Sequence, residues 1–355
     1  MKTLLLLLLL ALPILPATAD SCTAADAPGH EPAALPTLTS DAAPRHIIVM
    51  IGDGMGAEHV WAAWMVNRGK LNITQLPVIG FSRTPSASHA ITDSAAGATA
   101  PACGVKAVNG HIAQDSEGRA AESILLRAQR AGLSTGLIAT KDITDATPAC
   151  FYAHADDRRQ KALIAAQLPE SGIDFVRGGG SKHFREEQLQ EMRARGMDIE
   201  LLSDGDMPPA GQRGDVLPKA TREALERLSR NPRGFFLMIE GSQIDVAAHR
   251  NDLAETVREV LDFDRAVGAV LRWMQQHPDT LLLVTADHQT GGLSILGGSV
   301  QEGRVDARFS TGSHSGVAVP LYAAGAGAAR FGGIWDNTEL HGLLRKALPM
   351  PAAQE

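Results

Sequence analysis

Short apolar runs rich in β-branched residues recur along the chain, and each stops at a cluster of glycine and polar residues. His46-Ile47-Ile48-Val49-Met50-Ile51 is the first, ending in Gly52-Asp53-Gly54-Met55-Gly56. Thr135–Thr140, Phe235–Ile239 and Leu281–Thr285 repeat the pattern, and Ile173–Val176 and Val317–Ala323 are weaker copies of it. Unbroken runs of this length predict strands buried on both faces. Between them, apolar positions at helical spacing predict helices over Glu58–Arg68, Ala120–Ala131, Leu253–Gln276 and Glu339–Ala347. Pro148 suits the first turn of another helix, one that would carry Tyr152, His154, Arg158 and Arg159. The alternation predicts an α/β fold, a three-layer α/β/α sandwich with a largely parallel central sheet.

The two ends depart from this pattern. Lys2, the apolar run Leu4–Leu12 and the small-residue site Ala17-Thr18-Ala19 predict a signal peptide over 1–19, leaving Asp20 as the mature start. That run is too short to span a bilayer, so the expected protein is exported, periplasmic or secreted, and free of the membrane after cleavage. Residues 20–43 are rich in Ala, Pro, Asp and Thr without a period, which predicts a flexible N-terminus. A single domain is expected over 44–348, with a loose tail over 349–355.

Composition narrows the chemistry. A formal charge of −7 argues against a nucleic-acid-binding surface and suits a protein that holds cations. Cys22, Cys103 and Cys150 are an odd set. Export permits a Cys103–Cys150 bridge, and two buried thiols fit the sequence equally well.

Ligands in such sheets gather beyond the carboxyl ends of the strands. Asp53, Asp145, Glu240 and Asp287 all fall there. Four converging carboxylates repel one another unless cations neutralise them. Asp245 and His249 are spaced to share a helix face, Asp287 and His288 are adjacent in a turn, and His314 sits in a Gly/Ser loop. Mixed Asp/His groups suit zinc, and an oxygen-only group suits magnesium. The Gly-x-Gly-x-Gly run at Gly52 is a weak match to a dinucleotide loop, with a carboxylate where a pyrophosphate would approach. Ser94, in Ala90-Ile91-Thr92-Asp93-Ser94-Ala95-Ala96-Gly97-Ala98-Thr99-Ala100, stands at a helix start, where unpaired backbone N–H groups favour an anion.

Six segments in order resemble the alkaline phosphatase family over nearly the whole mature length: Ile51–Gly56, Thr92–Ala96, Asp145–Ala149, Glu240–Asp245 with His249, Thr285–His288, and His314. The resemblance implies hydrolysis of small-molecule phosphate monoesters through a phosphoserine at Ser94. It implies two Zn²⁺ and one Mg²⁺ per chain, and it leaves a homodimer open. One zinc would be held by Asp245, His249 and His314, the other by Asp53, Asp287 and His288. Asp53, Thr147 and Glu240 would surround the magnesium, with Asp145 beside it, directly or through water, and Arg158 would clamp the phosphate.

Val246 departs from the family pattern, since many relatives carry Lys, His or Trp there near the phosphate. Neighbouring activities fit less well. No Cys/Ser-x-Pro-x-Arg segment of a sulfatase is present. A phosphodiesterase usually has Thr as nucleophile and lacks the third metal cluster. A phosphoglycerate mutase of the cofactor-independent kind belongs in the cytoplasm. A silent zinc or phosphate scavenger needs no nucleophile.

Overall fold

The computed structural model describes residues 19–36 and 39–349, and a 10-stranded sheet runs through its middle. Its order is Gly333–Asp336, Val78–Arg83, Val319–Ala326, Thr280–Thr285, His46–Gly52, Phe235–Gly241, Ser134–Asp142, Phe175–Gly179 and Asp198–Leu201, with Thr39–Ser40 pairing off this path. Val319–Ala326 runs antiparallel to Val78–Arg83 and Thr280–Thr285. Every other pairing in this sheet is parallel.

Alternate residues of each central strand feed two different cores, as the pleat requires. Ile48, Met50, Leu237 and Ile239 pack with Val260, Phe263 and Leu225 on one face. Ile47, Val49, Ile51, Phe236 and Met238 pack with Ala98, Ile124 and Leu340 on the other. Helices Ala57–Val66, Val216–Leu228 and Leu253–Met274 cover the first face. Ser94–Cys103, Ile124–Arg130 and Asn337–Ala347 cover the second. This is the expected three-layer α/β/α sandwich. The parallel strands bring their carboxyl ends to one rim, where the site lies.

Three expectations change. The helix after Asp145 is a single turn, Ala146–Ala149. The chain then bridges Ala155 to Ile112, so Arg158 rides on a loop tied back by its own N–H to the Gly110 carbonyl. Residues 20–36 are not loose. Asp20–Thr23 pairs with Arg304–Arg308, Cys22 is buried, His30 Nε2 lies 2.8 Å from Asp264 Oδ2, and the Ala33 N–H donates to Asn72 Oδ1. Those partners are distant in sequence, so local composition carries no trace of them. Finally, all three cysteines are free and buried. Cys103 Sγ lies 3.8 Å from the Cys150 carbonyl oxygen, which settles the open pairing in favour of thiols.

All but the last residue of the expected leader, 1–19, and all but the first of the expected tail, 349–355, lie outside the described residues. Among the described residues no helix is long and apolar enough to cross a membrane.

Candidate active site

Six elements deliver the site. Asp53 follows strand His46–Gly52, and Glu240 lies near the end of Phe235–Gly241. Asp245 and His249 sit one turn apart on helix Gln243–His249, and Asp287 and His288 follow Thr280–Thr285. His314 comes in through a two-residue strand paired with Gln289–Thr290, register Thr290↔His314. Ser94 opens helix Ser94–Cys103, whose cap is Asp93: Oδ1 accepts from the Ala96 N–H at 3.0 Å. The small residues of that helix are all buried. At Gly97 a Cβ would stand 2.9 Å from the Asp287 carbonyl oxygen, so only glycine lets this helix approach the turn that carries His288.

The imidazoles are oriented by their outer nitrogens. His249 Nδ1 donates to the Gly312 carbonyl at 2.9 Å and His314 Nδ1 to the Thr92 carbonyl at 2.8 Å. In the neutral rings both Nε2 atoms therefore carry lone pairs, and they face each other across 3.1 Å. Asp245 Oδ1 lies 3.3 Å from one and 3.5 Å from the other. Three lone-pair donors at such range could hold a metal ion between them.

The second group is built the same way. The Thr290 hydroxyl donates to Asp245 Oδ1 at 2.5 Å, which leaves its oxygen to accept from His288 Nδ1 at 3.3 Å. His288 Nε2 then faces Asp287 Oδ2 at 3.2 Å, Asp53 Oδ1 at 3.5 Å and the Ser94 hydroxyl at 3.1 Å. Asp287 Oδ1 is held by the N–H groups of Gly54 and His288, while its Oδ2 and both oxygens of Asp53 are buried without a partner among the described residues. Asp245, through Oδ1, also borders this group, so the two share a wall.

Electrostatics give the same picture. Burial, then the charges of Asp287, Asp245 and Glu240, push the Asp53 carboxyl well above its ordinary range. Burial lifts Glu240 to about 8. Burial also drives His288 down to about 4, so its ring is neutral and ready to donate a lone pair. Asp245 and His314 favour each other's charged forms: burial opposes both charges, yet their contact holds the Asp245 carboxyl below its usual range and raises His314, whose proton a cation between them would replace. Buried carboxylates, lone-pair nitrogens and unpartnered oxygens fit two divalent ions of the nitrogen-and-oxygen kind.

In the oxygen-only group, Thr147 Oγ1 and Glu240 Oε2 are buried without partners among the described residues, as ligand oxygens would be. Asp145, next to them in the sequence reading, is held by cationic side chains. Its Oδ2 lies 2.7 Å from the Lys141 ammonium, its Oδ1 lies 2.7 Å from that of Lys161, and Arg158 approaches at 3.6 Å. Burial opposes its charge, yet Lys141, Arg158 and Lys161 hold the carboxyl below its ordinary range. Asp145 thus anchors three cationic side chains beside this group.

Arg158 is brought to the same rim. Asp93 Oδ2 holds its guanidinium at 3.1 Å, and with Asp145, Lys161 and His111 it lines a cavity of about 540 Å³. Arg159 instead turns outward and pairs with Asp157. His59 is buried beneath the Asp53 loop, where its Nδ1 accepts from the Gly56 N–H. The residues that sequence reasoning missed are Thr290, Asp93 in its second role, Lys141 and Lys161. Thr290 had one available signal, its place two residues past His288. The lysines had none, since a lysine at a strand end or helix start reads as a solvated charge.

The family model described as Alkaline phosphatase matches residues 44–199 and 188–307. Alkaline phosphatase 4 of Bacillus subtilis (strain 168) is 36% identical over 288 residues, covering 71% of this chain and 62% of that protein. The chain thus spans less than two thirds of that relative's length. The alkaline phosphatase of Escherichia coli (strain K12) is 29% identical, covering 90% of this chain and 89% of that one. Among solved structures, the alkaline phosphatase from the Antarctic bacterium TAB5 superposes with a TM-score of 0.81 at 34% identity, over 87% of this chain and 99% of that one.

Proposed function

The chain belongs to the alkaline phosphatase family, and from that premise we propose that it hydrolyses phosphate monoesters to an alcohol and inorganic phosphate, with Ser94 as nucleophile and a covalent phosphoserine as intermediate. The observation that carries the reading is the Ser94 hydroxyl standing 3.1 Å from His288 Nε2, in the pocket where the lone pairs converge. Asp245, His249 and His314 would hold one zinc, and Asp53, Asp287 and His288 the other. When bound, such ions lower the pKa of a nearby hydroxyl or water and neutralise charge on the transferred phosphoryl group. Asp53, Thr147 and Glu240 would surround a magnesium, an occupant that the unpartnered Thr147 and Glu240 oxygens support.

The chain's own residues supply the rest. Ser94 Oγ attacks phosphorus in line with the leaving oxygen, which departs as the alcohol; water later attacks phosphoserine from the face the alcohol left, opposite Ser94, and releases Ser94 Oγ. The planar guanidinium of Arg158 offers two donors to two phosphate oxygens. Asp93 fixes that fork, and the buried position of Ser94 keeps the hydroxyl in one place. The predicted leader supports a site of action outside the cytoplasm.

The test is turnover of a chromogenic phosphate monoester by the purified chain, abolished by a chelator and restored by zinc, run beside a diester and a sulfate ester. Faster turnover of the diester, or turnover that survives chelation, would overturn the reading.

A further inference from the structure

The mouth of the pocket carries apolar side chains that the chemistry above does not use. Ile91 stands three residues before Ser94 and is 45% exposed. Val317 stands three residues after His314 and is 47% exposed. The site itself ties their two loops together, since the Thr92 carbonyl, next to Ile91, accepts from His314 Nδ1 at 2.8 Å. Ile91 Cγ1 lies 3.6 Å from the place a Cβ on Gly316 would take, so its side chain rests on the His314 loop just before Val317. The Ile91 carbonyl accepts from Asn109 Nδ2 at 3.2 Å, and Asn109 lines the cavity that holds Arg158. Ile91 thus stands between the imidazole side of the mouth and the guanidinium side.

The reaction points the alcohol toward this place. Ser94 Oγ faces His288, whose side chain is fully buried, while the side chain of His249 is 38% exposed. The inner wall holds the nucleophile and the outer wall opens to solvent. In-line displacement sends the leaving oxygen to the side of phosphorus opposite Ser94, which is the outer side. An alcohol departing that way passes Ile91 and Val317. Single exposed apolar residues are ordinary on a surface. Two on loops bonded to each other at the exit of a site meet whatever the substrate carries there.

We propose that Ile91 and Val317 form an apolar lip against the alcohol part of the substrate, so that the chain favours monoesters of alcohols with an apolar chain over those of the smallest alcohols. The inference rests on reading the pocket as a phosphomonoesterase site. A fully buried methylene contributes about four-fold in binding, and one covered on a single side about two-fold.

Alkyl phosphates of growing chain length test it, because their leaving groups differ little in basicity. In wild type, kcat/KM for n-butyl phosphate should exceed that for methyl phosphate by about eight-fold, one factor of about two for each added methylene, and mostly through KM. In the double variant Ile91→Ser, Val317→Ser that ratio should fall to about two or less. The pair Ile91→Thr, Val317→Thr, which keeps the branched shape, serves if the serine variant does not fold. A ratio near one in wild type, or equal ratios in wild type and variant, overturns the inference. If wild type turns over neither ester, the phosphomonoesterase reading itself is overturned, and the inference falls with it.

Discussion

The Ser94 hydroxyl and His288 Nε2 stand 3.1 Å apart, although 194 residues of chain separate them. Gly97 makes this approach possible by letting the Ser94 helix rest on the backbone of the Asp287 turn. The hydroxyl touches the donor cluster without being one of its orienting groups. Ser94→Ala should therefore keep its zinc content and fold while losing on the order of a thousand-fold or more in kcat. Acid quenching with a labelled monoester should trap phosphoserine in wild type and none in the variant. Full activity in the variant would remove Ser94 as nucleophile.

Thr290 joins the two metal-type groups. Its hydroxyl proton goes to Asp245 and its oxygen receives His288. Thr290→Val keeps the volume and removes both contacts, freeing the His288 ring to turn. Groups that orient metal ligands typically contribute 10- to 100-fold in affinity. Zinc affinity should fall by about that factor, with activity largely recovered in excess zinc. Unchanged zinc affinity in a competition titration would show that Thr290 orients nothing.

Much of this pocket was legible in the sequence, for a physical reason. Central parallel strands must be apolar along their whole length, so the first polar residue beyond each one, such as Asp53 or Asp287, is conspicuous. The rule that sites form at those ends did the rest. What escaped was set by partners remote in sequence. Lys141 ends a strand and reads as a solvated charge, and only the fold brings Asp145 to it. Asp20–Thr23 is too short to show alternation, and its partner Arg304–Arg308 lies near the other end of the chain. The single-turn helix after Asp145 has no stop signal, and its end follows from the Ile112–Ala155 bridge.

Asp93 has two jobs that a variant can separate. Oδ1 caps the Ser94 helix, and Oδ2 holds Arg158 at 3.1 Å and the Gly110 N–H at 3.1 Å. Asp93→Asn can still cap with its carbonyl oxygen but loses the charge facing Arg158. Stability should drop by no more than about 1 kcal/mol. Inhibition by inorganic phosphate and KM for a monoester should shift several-fold as the guanidinium loosens. Denaturation and inhibition assays on the same preparation check both halves. A large stability loss with unchanged phosphate inhibition would mean that the cap alone matters.

Arg213 is buried between Glu259 and Asp262, away from the pocket. Removing one partner of a buried ion network strands the others, typically at about 3–5 kcal/mol. Arg213→Ala should lose roughly that much in urea denaturation. The triple variant Arg213→Met, Glu259→Leu, Asp262→Leu should lose far less, because no buried charge is left unpaired and the partly exposed Arg265, which also pairs with Asp262 at 3.0 Å, can turn to solvent. Equal losses in the two would mean that packing, not charge, sets the cost.

His46 gives the stability a pH dependence of known sign. Its ring is buried against Phe235, with centroids 4.6 Å apart, and Trp273, at 5.2 Å, and neither nitrogen has a hydrogen-bond partner among the described residues. Burial lowers its pKa to about 4, from an ordinary value near 6.5. Between those values the unfolded chain binds a proton that the folded chain refuses, so stability rises with pH across that window and falls as pH drops from 6.5 toward 4. The lowered pKa corresponds to a loss of at most ~3 kcal/mol once pH is below both values. His59 contributes in the same direction, its pKa also lowered to about 4 by burial. His46→Phe should therefore be nearly neutral at pH 7.5 and stabilising relative to wild type at pH 4.5. Urea denaturation of both proteins at the two pH values isolates this residue, since every other titrating group is common to the pair. Parallel losses in the two would mean that His46 is not the group being forced to charge.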